Sequence, residues 1–239
     1  MQAPTSSVSA GGYVRRTLTS SAGAKLLMGV TGLLFYGWLL LHLAGNLAVF
    51  AGRATENAYA HFLKATPELL WGQRVGLFIV VVLHIYSGIR LAGINRRARP
   101  EPYASPRRWR AASFASRSMA LTGVLALAFI LFHLLHFTGG LILPAHYASV
   151  PTDPAQIPDV YGMVVNNFAI PWVAIVYIVG LSLVGLHLSH GVWSATQSLG
   201  LNGKKWTPFM KTLGLIMGVG VAALFILIPL AALTGVLKP

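Results

Sequence analysis

The chain contains no cysteine. That excludes disulfides, covalently attached c-type haem and iron–sulfur clusters within it, a Rieske centre included. Acids are almost as scarce: 5 Asp and Glu stand against 18 Lys and Arg. None of the acids lies inside a long apolar run, so acid–base chains at bilayer depth, one mark of a proton pump, are missing. Charged residues make up 10% of the 239 and hydrophobic ones 55%, with a mean hydropathy of +0.67. An ordinary soluble domain is neither so apolar nor so poor in charge. The short alternating segments of a membrane β-barrel are also lacking. No internal repeat and no inverted-repeat symmetry stands out, which weakens a secondary-transporter reading. A redox centre in this chain would have to be held by histidine or by non-covalent packing.

What is present is five apolar runs, roughly 27–50, 72–94, 118–143, 170–195 and 209–236. Each is long enough to cross a bilayer as helix. The first begins too late and runs too long for a cleaved signal peptide. The expected fold is an all-α membrane protein with five transmembrane helices in a bundle. Arg15, Arg16 and Lys25 precede the first run, eight arginines from Arg90 to Arg117 separate the second and third, and Lys204, Lys205 and Lys211 separate the fourth and fifth. Those 14 cations share one side; Arg53, Lys64, Arg74 and Lys238 share the other with Glu56, Glu68, Asp153 and Asp159. The positive-inside rule then puts the N-terminus in the cytoplasm, the C-terminus outside and the chain in the cytoplasmic membrane. The net charge of +13 reads as a surface facing lipid headgroups, compatible with docking of an acidic soluble partner, and not as a nucleic-acid site.

Residues 1–24 read as a cytoplasmic tail and 25–239 as one five-helix bundle. The 95–117 loop, with Pro100, Pro102 and Pro106 among its arginines, is a polar cytoplasmic connection. Pro144, Pro151, Pro154 and Pro158 argue against regular helix in the long outside loop 144–169. A loop of that length suits capping a site or touching a partner.

Four of the five runs carry a histidine at depth: His42, His84, His133 and His187. An ionisable group inside a span is costly enough that function is its default reading. His42 lies 17 residues after Lys25 and His133 lies 16 after Arg117, so both stand roughly 25 Å above the cytoplasmic face at ~1.5 Å per residue. His84 is 12 residues short of Arg96 and His187 is 10 short of Gln197, which places both at roughly 15–18 Å on the same rise. The first and third spans thus supply an outer pair, the second and fourth an inner pair. Bundles hold cofactors between facing helices in this way, and two paired imidazoles suit a metal macrocycle. Zinc fits poorly, because four ligands split between two heights close no tetrahedron. Gly45, Gly88, Gly139 and Gly185 lie close in sequence to these histidines and would let a flat group approach the backbone.

His136 and His190 each follow one of the four by three residues and share its helix face. Either is placed to hydrogen-bond a haem propionate, to line a quinone pocket, or to be the ligand instead of its neighbour; spacing does not choose. Arg90, six residues after His84, is placed to neutralise a propionate or to snorkel to the interface.

The stretches GAKLLMGVTGLLFYGWLLLHLAGNL, LHIYSGIRLAG and LHLSHGVWSATQSLGLNGKKW resemble the succinate dehydrogenase cytochrome b558 subunit family, the five-helix dihaem anchor that is also similar to the cytochrome b of dihaem fumarate reductases. The resemblance covers residues 20–215; the last span adds little beyond hydrophobicity. It implies two haem b groups, each held by two histidines, first span with third and second with fourth. Carried across, His42 matches the first-span HLAGN histidine, and His84 the second-span histidine six before an arginine. His133 stands eleven after Thr122 of a Thr-Gly pair, and His187 is the first histidine of HLSHG, with His136 and His190 beside the ligands. The dihaem fumarate reductases carry an intramembrane glutamate two residues before the fourth ligand; here that position is Gly185.

The resemblance further implies a flavoprotein and an iron–sulfur subunit on the cytoplasmic face, a membrane quinone, menaquinone by the habit of this family type, and electron transfer from succinate to that quinone. This chain would then be the non-flavin subunit of an enzyme, with no dicarboxylate site of its own. The docking surface would be the 95–117 loop and the tail before Lys25; a higher oligomer is compatible. Two other classes stay open: the cytochrome b anchor of a formate dehydrogenase or hydrogenase, and a histidine-relay transporter.

Overall fold

The computed structural model describes residues 20–98, 117–147 and 159–239. The basic stretch from Arg99 to Arg110, the tail before Ser20, and Pro151, Pro154 and Pro158 lie outside the described residues. Among the described residues there is no strand, and five helices are long and apolar enough to cross a membrane. The chain is an all-α, multi-pass membrane protein.

Helix α1, Ser21–Asn46, is the first span and runs on through a 3-10 turn, Leu47–Ala51. It starts six residues ahead of the apolar run, and inside the stretch read as tail, because the Ser20 side chain accepts from the Gly23 N–H at 3.0 Å. Such a cap is worth about 1 kcal/mol. Helix α2, Arg53–Ala65, is amphipathic and leads to α3, Pro67–Arg97, the second span. Proline in the first turn and Arg96 and Arg97 in the last suit the two ends of α3. Glu68 falls in that first turn and is exposed there, at the favourable end of the helix dipole.

Helix α4, Met119–His133, is the third span; it ends in a π turn, Leu134–Thr138, short of the expected residue 143. Two short helices lie between the third and fourth spans, α5 (Pro144–Tyr147) and α6 (Val160–Phe168). The expectation of no helix there is corrected. Pro144 opens α5, where a missing N–H costs nothing, and α6 contains no proline and is capped by Asp159. Helices α7, Pro171–Ser198, and α8, Trp206–Leu233, are the fourth and fifth spans.

The four histidine-bearing spans form a square. Helix α1 packs on α3 and on α7, and α4 packs on α7; the fourth side, α3 against α4, shows no close packing among the described residues. The diagonals α1–α4 and α3–α7 likewise lack close backbone packing. Helix α8 lies outside the square in the most extensive interface of the molecule, against α7. Gly218 makes that approach possible: a Cβ there would collide with the backbone of Ser189. Leu41, Phe78, Ile89, Leu121, Val124, Ile175 and Ile216 face outward, as lipid-facing residues of a bundle do.

The larger buried cluster lies where α6 meets α7 and α8: Val49, Tyr161, Val165, Phe168, Val173, Tyr177 and Ile228 among others. A polar clasp joins α2 to α6 there. Arg53 pairs with Asp159 at 2.7 Å, the Asn57 amide donates to Asp159 at 3.1 Å, and the Tyr161 N–H donates to the Asn57 carbonyl oxygen at 2.9 Å. The ion pair is half exposed and adds little by itself; the shared hydrogen bonds fix the angle of α6.

Candidate cofactor-holding histidine pairs

The open diagonals of the square are where the imidazoles meet. His42 and His133 have ring centroids 6.0 Å apart with planes crossed at 74°; His84 and His187 are 6.4 Å apart with planes at 80°. Two imidazoles bound to opposite faces of one metal, each through a bond of about 2 Å, hold their ring centres about 6 Å apart. Both pairs meet that spacing. Among the described residues no three His, Cys, Asp or Glu side chains gather as a metal cluster; the histidines converge by twos.

The inner pair is held by two matching fixtures. The Thr31 hydroxyl donates to the Leu27 carbonyl at 2.6 Å and lies 3.3 Å from His84 Nδ1. The Thr122 hydroxyl donates to the Met119 carbonyl at 3.2 Å and lies 3.3 Å from His187 Nδ1. Each hydroxyl has spent its one proton on a carbonyl, so its oxygen accepts from the imidazole. Both rings are therefore fixed as the Nδ1–H tautomer with Nε2 bare, the state a metal requires.

Next to each threonine is a glycine on which the imidazole rests. A Cβ on Gly32 would stand 3.2 Å from His84 Cε1, and one on Gly123 would stand 3.3 Å from His187 Cε1. These two glycines replace most of the set expected from proximity in sequence. A Cβ on Gly45 would meet the ring of Tyr59, Gly88 faces the Met28 methyl group and Gly139 the carbonyls of the π turn. A Cβ on Gly185 would stand 2.6 Å from Ala222 Cβ, so α8 fills the place where a carboxylate would project.

Matching fixtures reflect matching sequence. MGVTGLLFYGWLLLH at 28–42 and MALTGVLALAFILFH at 119–133 are identical at six of fifteen positions: Met, Thr, Gly, two Leu and the final His. The partner spans share Val-x-Leu-His-x-x-x-Gly, at 81–88 and at 184–191. The expectation of no internal repeat is corrected: α1 with α3 and α4 with α7 are two copies of one hairpin in parallel orientation, each histidine pair taking one ring from each copy.

The outer pair departs from this match. On one side, the Asn46 amide lies 3.3 Å from His42 Nδ1 and donates to the His42 carbonyl at 2.8 Å; Trp38 stacks on the His42 ring at 4.9 Å. On the other, Tyr177 Oη lies 3.3 Å from His133 Nδ1 and 3.0 Å from His136 Nδ1, and His136 Nε2 lies 2.9 Å from Asn167 Oδ1. His136 is 2% exposed and both of its nitrogens are engaged. His190 is partly buried on the face of α7 toward Lys211, which stands over the Trp193 ring at 5.1 Å. Arg90 is partly buried toward the C-terminal end of α3 and engages a neighbour.

Thr31, Asn46, Asn167 and Tyr177 carry the pairs yet are absent from any reading by histidine spacing. The recurrence of Thr-Gly eleven residues before a histidine is the signal that marks Thr31. Glu56, on α2, is a further unanticipated group: it is 6% exposed, Oε2 has no hydrogen-bond partner, and burial pushes its carboxyl up to about 7. Comparison with models of protein families, with curated proteins and with solved structures gives no match to this chain.

Proposed function

We propose that the chain is the membrane anchor and electron-transfer subunit of a succinate:quinone oxidoreductase, holding two haem b groups between its histidine pairs and passing electrons from an iron–sulfur subunit to a membrane quinone. The observation that carries this reading is the geometry of the pairs: two crossed imidazole pairs, 6.0 and 6.4 Å between ring centres, stacked along one bundle. His42 and His133 would hold the outer group, His84 and His187 the inner. A bound iron porphyrin supplies reversible one-electron transfer and nothing else is asked of it here.

The protein's own part is to orient and enclose. Thr31 and Thr122 hold the inner rings with Nε2 bare; Tyr177 does the same for His133, and Gly32 and Gly123 bring the spans close to the rings. With no cysteine and no dicarboxylate site, the chain needs a flavoprotein and an iron–sulfur subunit to oxidise succinate. The excess of cations at the ends shared by Lys25, Arg96, Arg97, Arg117, Lys204 and Lys205 supports a cytoplasmic face for those partners, with the N-terminus inside, in the cytoplasmic membrane. Gly185, pressed against α8, favours simple delivery of electrons to quinone, with menaquinone the expected acceptor, over a coupled proton return through a carboxylate at that position.

The test is substitution within the purified complex. His84→Ala or His187→Ala is expected to remove one haem and to uncouple succinate oxidation from quinone reduction; undiminished quinone reduction in both refutes the proposal. Isolation of the complex without a covalent-flavin polypeptide would assign the anchor to a different dehydrogenase.

A further inference from the structure

The outer pair contains a hydrogen-bond chain with no counterpart at the inner pair, and the chemistry of its far end determines every proton along it. The Asn167 side-chain amide donates to the Met163 carbonyl at 2.8 Å. A carbonyl only accepts, so the group at that end of Asn167 is NH2 and the atom facing His136 is oxygen. That oxygen accepts from His136 Nε2, which must therefore carry the proton. A neutral imidazole with Nε2–H has a bare Nδ1, and the Tyr177 hydroxyl donates to it. The tyrosine oxygen, its proton committed, accepts from His133 Nδ1–H. His133 is then left with Nε2 bare, its ring centre 6.0 Å from that of His42.

We propose that Tyr177 is a positioning residue for the outer centre. Through Asn167, His136 and Tyr177 in turn, the backbone of α6 sets the tautomer and orientation of His133 and with them the reduction potential of the group that His133 binds. This rests on the haem reading above and deepens it. Hydrogen bonding at the rear nitrogen of a metal-bound imidazole orients the ring and raises its basicity as a ligand. The local fold is built around the chain. The π turn Leu134–Thr138 widens the end of α4 by one residue, and His136 within it meets Tyr177 of α7 and Asn167 of α6. Phe132, Phe137 and Phe168 pack around Tyr177 at ring distances of 5.7, 5.5 and 4.8 Å, which seals the chain from water. In the first copy of the hairpin the position three after the histidine is Gly45, packed against the Tyr59 ring, and it has no side chain to serve as such a link.

The experiment uses the purified complex with Tyr177→Phe and Asn167→Leu, and reads haem content, the midpoint potential of each haem and its low-temperature EPR g-values. Tyr177→Phe is expected to keep both haems, to raise the outer midpoint because the ligand loses its acceptor, and to shift the outer g-values alone. Asn167→Leu, two links farther away, is expected to shift the same haem in the same direction by less. An unchanged outer potential in both variants, or a shift confined to the inner haem, overturns the proposal. If Tyr177→Phe fails to retain the outer haem, Asn167→Leu decides by the same criterion. A wild-type chain that binds no haem refutes the reading underneath instead. The chain of protons is then read by nitrogen NMR of labelled histidine, where a His133 that is not the Nδ1–H tautomer overturns it.

Discussion

The inner and outer histidine pairs come from the same duplicated hairpin, yet they are held in different ways. At the inner pair the two copies match: Thr31 and Thr122 lie at 3.3 Å from the imidazole Nδ1 atoms, and Gly32 and Gly123 lie under the rings. Each inner fixture reaches from one span to another, Thr31 of α1 to His84 of α3 and Thr122 of α4 to His187 of α7. At the outer pair the copies have diverged. His42 is held within its own helix by Asn46, whereas His133 is held by Tyr177 of α7 and, behind it, by Asn167 of α6. The inner centre is therefore fixed by the spans alone. The outer centre also answers to α6, because moving α6 would move Asn167 and with it the ring of His133.

Four experiments break or sharpen this contrast, beginning with the largest effect. Replacing either glycine under an inner ring by leucine, Gly32→Leu or Gly123→Leu, puts a side chain where an imidazole lies. Both are expected to abolish the inner haem and spare the outer, by optical redox titration; unequal losses would break the inner symmetry. His136→Ala is expected to retain both haems, since both of its nitrogens already serve hydrogen bonds; loss of the outer haem with His133 intact would make His136 the ligand.

Smaller again, Thr31→Val and Thr122→Val each remove one acceptor behind an inner ligand. They are expected to weaken inner haem retention by about 10- to 100-fold and by the same factor, measured by haem loss to apomyoglobin. The smallest effect concerns stability. Glu56 holds its proton up to about 7 against a usual 4.5, so between those values the native protein keeps a proton that the unfolded chain has lost. Stability therefore falls as pH rises through that window. Glu56→Gln is expected to flatten the fall, by thermal unfolding in micelles, without touching either haem.

How much of this was legible in the sequence follows from what each feature depends on. The five spans and the two heights of histidine depend on hydropathy and helical rise, which are local, and the structure places His42 beside His133 and His84 beside His187. Helix ends depend on caps: Ser20 and Pro67 extend α1 and α3 beyond their apolar runs, and Pro144 opens a helix it seemed to forbid. The duplication was present in the letters but diluted, because apolar residues interchange freely on lipid-facing positions and few positions besides Met, Thr, Gly and His keep their identity. Tyr177 and Asn167 were out of reach. They lie 44 and 31 residues from the histidines they hold, and their approach depends on a π turn that no residue pattern announced. Gly185 was read as room for a macrocycle; proximity in sequence says nothing of which face a helix turns to α8.

The account stands most directly on what the pairs hold. A pyridine haemochrome assay on the purified polypeptide is predicted to find protohaem at both pairs, with the inner signal lost in His84→Ala and the outer in His42→Ala. A colourless polypeptide, folded and in its native membrane, would contradict it.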